Sequence, residues 1–194
     1  MKTLIISLKI FLFFTILAGI VYPLVITGIT QLVFSEKANG SLIFSGNKVI
    51  GSELIGQLSD SIIYFTSRPS AISCNPLPSG GSNYCLTNLK LKQQVQARRE
   101  QFIRLNQTDS LTIVPSEMLF ASASGLDPHI SIKAASLQVE RIVKTRHLDD
   151  FQKQQLIQTV SKLTEMPQFG LLGEKSINVL LLNIKLDQLS STKN

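Results

Sequence analysis

Histidine and cysteine are scarce in this sequence: 194 residues hold two of each. A catalytic zinc normally takes three protein ligands. Asp127 and His129 offer two, and His147 lies about five helical turns further along, so zinc-assisted hydrolysis is not indicated. Neither histidine is near Cys74 or Cys85 in sequence, which weakens a metal site there as well. Charge is scarce too. Charged residues make up 16% and apolar residues 44%, against about 25% charged in an ordinary soluble domain. The net charge of +6 comes with no nucleic-acid motif. Arg68, Arg98, Arg99, Arg104, Arg141 and Arg146 are scattered rather than gathered into a basic stripe. There is no internal repeat. A complete phosphate-binding loop is also missing: in GLLGEKS (170–176), Glu174 separates Gly173 from Lys175, and a strand rather than a helix is expected next. Ser79, Gly80, Gly81, Ser82 and Asn83 form a weak nucleotide candidate, since any serine-glycine turn looks like this one.

What is present is a long apolar run. Ile10 to Phe34 reads IFLFFTILAGIVYPLVITGITQLVF, without a charged residue. These roughly 25 residues exceed the ~20 that cross the hydrocarbon core of a bilayer. A cleaved signal peptide would have an apolar region of about 7–15 residues, closed by small residues at a cleavage site. This run is longer and no Ala-x-Ala pattern ends it, so a retained transmembrane helix is expected. Pro23 lacks a backbone donor and should kink the helix, leaving a carbonyl for a neighbouring helix or water to satisfy. Gly19, Thr27, Gly28 and Thr30 leave a face of small residues, suited to close helix contact in lipid. Lys2 and Lys9 precede the run; Glu36 and Lys37 follow it. The positive-inside rule then puts residues 1–9 in the cytoplasm, 10–34 in the membrane and 35–194 outside.

Beyond the span, short apolar runs flank Gly46-Asn47 and predict a hairpin. YFTSRPSA (64–71) reads as an extended piece turning at Pro69. Cys74 and Cys85 enclose a loop rich in Pro, Ser, Gly and Asn. An exported domain permits a disulfide there, which would stabilise by about 2–3 kcal/mol; two free, partly buried thiols are the alternative. Thr87 or Asn88 caps a helix to about Asn106, with Leu91, Val95, Phe102 and Leu105 at helical spacing. A short element runs from Val114-Pro115 to Phe120. Helices are expected over about 131–146 and 149–164, the second with Asp149 or Asp150 at its positive end. FGLLGEK (169–175) is a glycine-punctuated turn, and INVLLLNIKL (177–186) reads as a strand buried in a sheet. The order β, α, α, α, β suggests one compact α+β domain.

ASASGLDPHI (121–130) is the stretch that invites a chemical reading. Asp127 before Pro128 matches a helix N-cap with proline at the first helical position, and Ser131 offers a second cap. Gly125 can supply the positive φ of the turn into it. A hydrolytic triad of Ser122 or Ser124 with Asp127 and His129 needs the imidazole to bridge hydroxyl and carboxylate. All three within one short loop is a poor geometry for that. A polar loop docking onto another subunit fits Ser122, Ser124, Gly125, Asp127, Pro128 and His129 better than catalysis does.

GIVYPLVITGI in the span, GSELIGQ (51–57), YFTSRPSA, SGGSN (79–83), ASASGLDPHIS and FGLLGEKSINVLLLN (169–183) occur in this order. On these motifs the chain resembles, over almost its whole length, the C subunits (KdpC) of the Kdp potassium-transporting ATPases. The resemblance implies a single-pass subunit of a pump with three partners. These are a potassium-selecting A subunit, an ATP-hydrolysing B subunit and a small F subunit. It implies no catalytic residue and no tightly bound cofactor; ATP and potassium belong to the complex. It further implies a role in assembly and as a catalytic chaperone raising the ATP affinity of the B subunit. Where the family continues with Leu-Gly-Pro after SGGSN, this chain has Tyr84-Cys85-Leu86; where it has proline after DPHIS and LLGE, this chain has Ile132 and Lys175. Two rival readings remain. One is an anchored hydrolase using Ser124, Asp127 and His129. The other is a pilin-like protein, whose leader glycine and helix-start glutamate are not seen.

Overall fold

A computed structural model describes residues 2–59 and 61–191, Ser191 by its backbone. The chain forms two compact units, Met1–Ser52 and Glu53–Asn194.

The first unit is a long apolar helix followed by a hairpin. Helix α1 spans Lys2–Ile16 and α2 spans Tyr22–Val33, so the helical run starts at Lys2 rather than Ile10. Over Lys2–Val33, 32 residues, it is long and apolar enough to cross a membrane, with a mean hydropathy of 2.6. Pro23 has no N–H for the carbonyl one turn back. The helix responds by widening into a π turn over Leu17–Val21, where the Tyr22 N–H donates to the Leu17 carbonyl. This local change of register is one way an intramembrane proline is accommodated. Gly19 lies in the π turn and Gly28 in α2, and a Cβ on either would meet open space. Phe34 lies just past α2 and precedes the short α3, Ser35–Ala38. The expected hairpin is present: β1 (Leu42–Ser45) pairs antiparallel with β2 (Lys48–Ser52) around Gly46-Asn47, with Gly46 at φ +60°.

The second unit is mixed helix and sheet, as expected of an α+β domain. Helix α4 spans Leu89–Asn106; the Asn88 side chain caps it by accepting from the Lys90 N–H. A single 3₁₀ turn, Ser116–Met118, forms the short element before the ASASGLDPHI loop. Strand β3 (His129–Ser131) leads into α5 (Ile132–Arg146), and α6 (Asp150–Lys162) follows. Asp149 and Gln152 close a reciprocal capping box on α6. Strands β4 (Thr164–Glu165) and β5 (Ser176–Asn178) complete an antiparallel sheet of order β3-β5-β4.

Two expectations are corrected here. Asp127-Pro128 does not cap a helix: a strand follows it, and Ser131 caps α5 by accepting from the Ala134 N–H. The apolar run from Ile177 is a strand only as far as Asn178. It continues as helix α7, Val179–Ser191. The Asn178 carboxamide oxygen accepts from the Leu180 and Leu181 N–H groups and so starts that helix. Leu182 and Leu186 then fall on one face and are fully buried, with Ile130, Ile142, Leu156, Ile177 and Phe65 in the same core.

Phe65 is in that core without belonging to a strand or helix, so its polar backbone needs partners. Side chains supply them. Asn183 accepts from the Phe65 N–H and donates to its carbonyl. Gln138, fully buried, does the same for Thr66. Arg141, 4% exposed, donates to the carbonyls of Ile62 and Tyr64 and to the side-chain oxygens of Asn106 and Gln138. Burial draws the Arg141 guanidinium down to about 10, still cationic at neutral pH.

Candidate functional site

Within the second unit, the ASASGLDPHI loop meets residues of GSELIGQ, YFTSRPSA, SGGSN and FGLLGEKSINVLLLN. Backbone hydrogen bonds dock it on several sides. The Ser122 N–H donates to the Pro69 carbonyl, the Gly80 N–H to the Ser124 carbonyl, and the Gly56 N–H to the Leu126 carbonyl. At Gly56, Gly81 and Gly125 the approach is close enough to require glycine. A Cβ on Gly56 would sit 2.7 Å from the Asp127 carbonyl oxygen, and one on Gly81 2.9 Å from that of Ala123. Gly125 has φ +71°, and a Cβ there would come within 2.5 Å of Ile72. The glycines at 80 and 81 therefore serve contact between loops. Of the weak nucleotide candidate, the Gly80 amide is already taken by the Ser124 carbonyl.

Inside the loop, buried Ser122 accepts from the Gly125 N–H (3.0 Å) and the Asp127 N–H (3.4 Å). Ser124 accepts from the Leu126 N–H. Asp127 accepts from the His129 N–H through one oxygen and pairs with Arg68 at 2.6 Å through the other. His129 faces two carboxylates: Nδ1 is 3.5 Å from Asp127 and Nε2 3.6 Å from Glu165. Neither serine hydrogen-bonds to the imidazole, so Ser122, Ser124, Asp127 and His129 share a loop without forming the bridged order of a triad. Sequence reasoning missed Arg68 and Glu165. Arg68 lay in view in TSRPS, but nothing in spacing pairs it with Asp127.

Burial alone would raise the Asp127 carboxyl. The hydrogen bonds from His129 and Arg68, with the Arg68 charge, outweigh it and hold the group at about 2. The hydrogen bond to Asp127 raises the His129 imidazole above its ordinary value, against desolvation and with help from Glu165. With the imidazole protonated, the row Arg68, Asp127, His129, Glu165 alternates in sign. Arg68, Asp127 and His129 line a cleft of about 360 Å³ with Glu117, Phe120 and Lys175. Glu117 accepts from the Ser131 N–H and so belongs to the frame of β3.

The bond expected between Cys74 and Cys85 is not formed; both are free. Cys74 is tied by its backbone N–H to the Ser70 hydroxyl, and burial pushes its thiol up. Cys85 is exposed and accepts from the Thr87 hydroxyl, which draws its thiol down. Among the described residues, no group of His, Cys, Asp and Glu is placed to hold a metal.

The chain thus joins an N-terminal helix long and apolar enough to cross a membrane to a compact unit of mixed helix and sheet. The sequence model of the family described as KdpC: K+-transporting ATPase, c chain matches residues 4–188. A potassium-transporting ATPase KdpC subunit of Caldanaerobacter subterraneus is 42% identical over 180 residues, covering 93% of this chain and 92% of its own. One from Bacillus cereus is 44% identical over 177 residues, covering 91% and 90%. One from Photorhabdus laumondii is 42% identical over 190 residues, covering 96% of each. The chain belongs to the KdpC family.

Proposed function

We propose that this chain is a non-catalytic accessory subunit of a Kdp-type potassium pump, assembling with the potassium-selecting, ATP-hydrolysing and small subunits. The family match over residues 4–188 carries this reading. It is supported by the loop geometry: both nitrogens of His129 face carboxylates, and the serine hydroxyls accept backbone N–H groups.

In this reading the Lys2–Val33 helix anchors the chain, with Lys2 and Lys9 on the cytoplasmic side and the second unit outside the cytoplasm. In a double-membrane envelope that is the inner membrane, facing the periplasm. A unit outside cannot touch ATP bound inside. The chaperone effect on ATP affinity then travels through helix packing, with the small-residue face about Gly19 and Gly28 as the contact.

The test is co-purification. A C-terminally tagged chain, extracted in mild detergent from potassium-starved cells, should bring down the A and B subunits in stoichiometric amounts. Failure to recover either would overturn the reading. Sidedness is checked by protease added to inside-out vesicles: the second unit should be protected, and its digestion would reverse the orientation. The chaperone role is read as the KM for ATP of pump with and without this chain. An unchanged KM would remove that role.

A further inference from the structure

Helix α4 carries Arg98, Gln101, Phe102 and Leu105 on one face, at the spacing that makes helical neighbours. These four residues line a cleft of about 290 Å³, with buried Met118 from the 3₁₀ turn and segment 66–70 on its other walls. Arg68 lines both this cleft and the one at Asp127 and His129. The polar groups around the new cleft are unequally occupied. The Thr66, Ser67 and Ser70 hydroxyls donate to the Gln138 side chain and to the Gln57 and Gly125 carbonyls. Arg68 is held by Asp127 through Nη1, while its Nε is buried without a partner.

Arg98 differs from all of these. A guanidinium offers five N–H donors. Through Nη1, Arg98 donates to the Leu119 carbonyl at 2.9 Å. Among the described residues no carboxylate pairs with it. Burial draws the guanidinium below its ordinary value, yet arginine stays charged in a protein. A half-buried cation without a counter-charge is costly, so the cleft is short of one negative charge. The planar fork of arginine matches a carboxylate in two parallel hydrogen bonds. Phe102, Leu105 and Met118 beside it call for an apolar body behind that carboxylate. An aspartate or glutamate side chain from a partner brings only one or two methylenes and would leave these residues uncovered. The room matches the lower end of small-molecule pockets, about 300 Å³.

We infer that this cleft binds a small organic monocarboxylate, its carboxylate on Arg98 and its apolar body against Phe102, Leu105 and Met118. Gln101, exposed at the rim, adds a carboxamide donor. The site is built wholly from the second unit and stands apart from the proposed place in a pump.

The probe is para-fluorobenzoate, followed by fluorine NMR on the full chain in a neutral detergent. Saturable binding is expected, ~tenfold or more tighter than that of the neutral para-fluorobenzamide, the scale of one charge-assisted pair. Acetate, a carboxylate without the apolar body, should displace the probe only at ~tenfold higher concentration or more. Arg98→Gln should weaken binding by ~tenfold or more. Gln101→Glu, at an exposed position, keeps the Arg98 bond to Leu119 and sets a rival carboxylate beside the guanidinium; it should weaken binding as much. No saturable binding, equal binding of the amide, equal potency of acetate, or parental binding by Gln101→Glu would each overturn the inference. The same titration on the chain assembled with its pump subunits tests the source of the carboxylate. Binding there is expected to persist; exclusion of the probe would mean that another subunit fills the cleft, and the small-molecule assignment would fall.

Discussion

Two loops of the second unit bend through glycines at nearly the same backbone angle: φ is +71° at Gly125 and +73° at Gly170. Their surroundings are opposite. Around Gly125, side chain and backbone atoms stand within 3 Å of where a Cβ would be; around Gly170 nothing lies within 4 Å. The serine-rich loop that looked chemical turns its polar groups inward, to backbone. The turn that looked like a mere connection turns its apolar groups outward. A motif's composition therefore says little about which way it faces.

The sharpest way to break the inward-facing side is Arg141→Met. It leaves the Tyr64 carbonyl without its Arg141 donor and the Ile62 carbonyl with only the Thr145 hydroxyl. Each such group costs about 1–3 kcal/mol. A loss of about 3 kcal/mol or more is expected, measured by denaturant unfolding of the detergent-solubilised chain. Gly125→Ala and Gly170→Ala make the comparison direct. The first meets both strain and overlap and should cost about 2–4 kcal/mol; the second meets strain alone and should cost about 1 kcal/mol. Equal costs would mean that the packing around Gly125 yields freely.

The charged row gives a smaller, pH-dependent effect. Asp127, held at about 2, contributes stability that is present above its unfolded value near 4 and lost as pH falls toward 2. His129 is raised. Its contribution is full below about 6.5 and fades as pH rises through its higher folded value. Stability should therefore be greatest between roughly pH 4 and 6.5. Asp127→Asn should flatten the acid limb, removing about 1–2 kcal/mol, and His129→Gln should flatten the upper limb, both seen as melting temperature against pH. The smallest effect belongs to the outward-facing side. Phe169→Ser, at a position 93% exposed, should change stability by no more than about 0.5 kcal/mol. A larger loss would mean that Phe169 is part of the fold rather than its surface.

Local signals were legible in the sequence. Gly46-Asn47 marks the first hairpin, and Asn88, Ser131 and Asp149 cap the helices they precede. What misled was the even apolar content of 177–186, which suits a buried strand and a buried helix alike. Asn178 was the available sign of the helix, as its side chain caps it. Gln138 and Arg141, one turn apart, could have been placed on the buried stripe with Ala135 and Ile142. Their partners could not. Residues as far apart as Thr66 and Gln138, or Phe65 and Asn183, meet only through the tertiary fold. The same holds for Arg68 with Asp127 and for Glu165 with His129.

The dependence of Phe65 on Asn183 has a temporal side. The ribosome makes Phe65 long before Asn183, at about 5–20 residues per second. Through that interval the amides of the core segment have no partner to close on, while the apolar helix at the other end has already emerged. The domain cannot shut early. The Phe65 segment gains its Asn183 partner only once the last helix has been made.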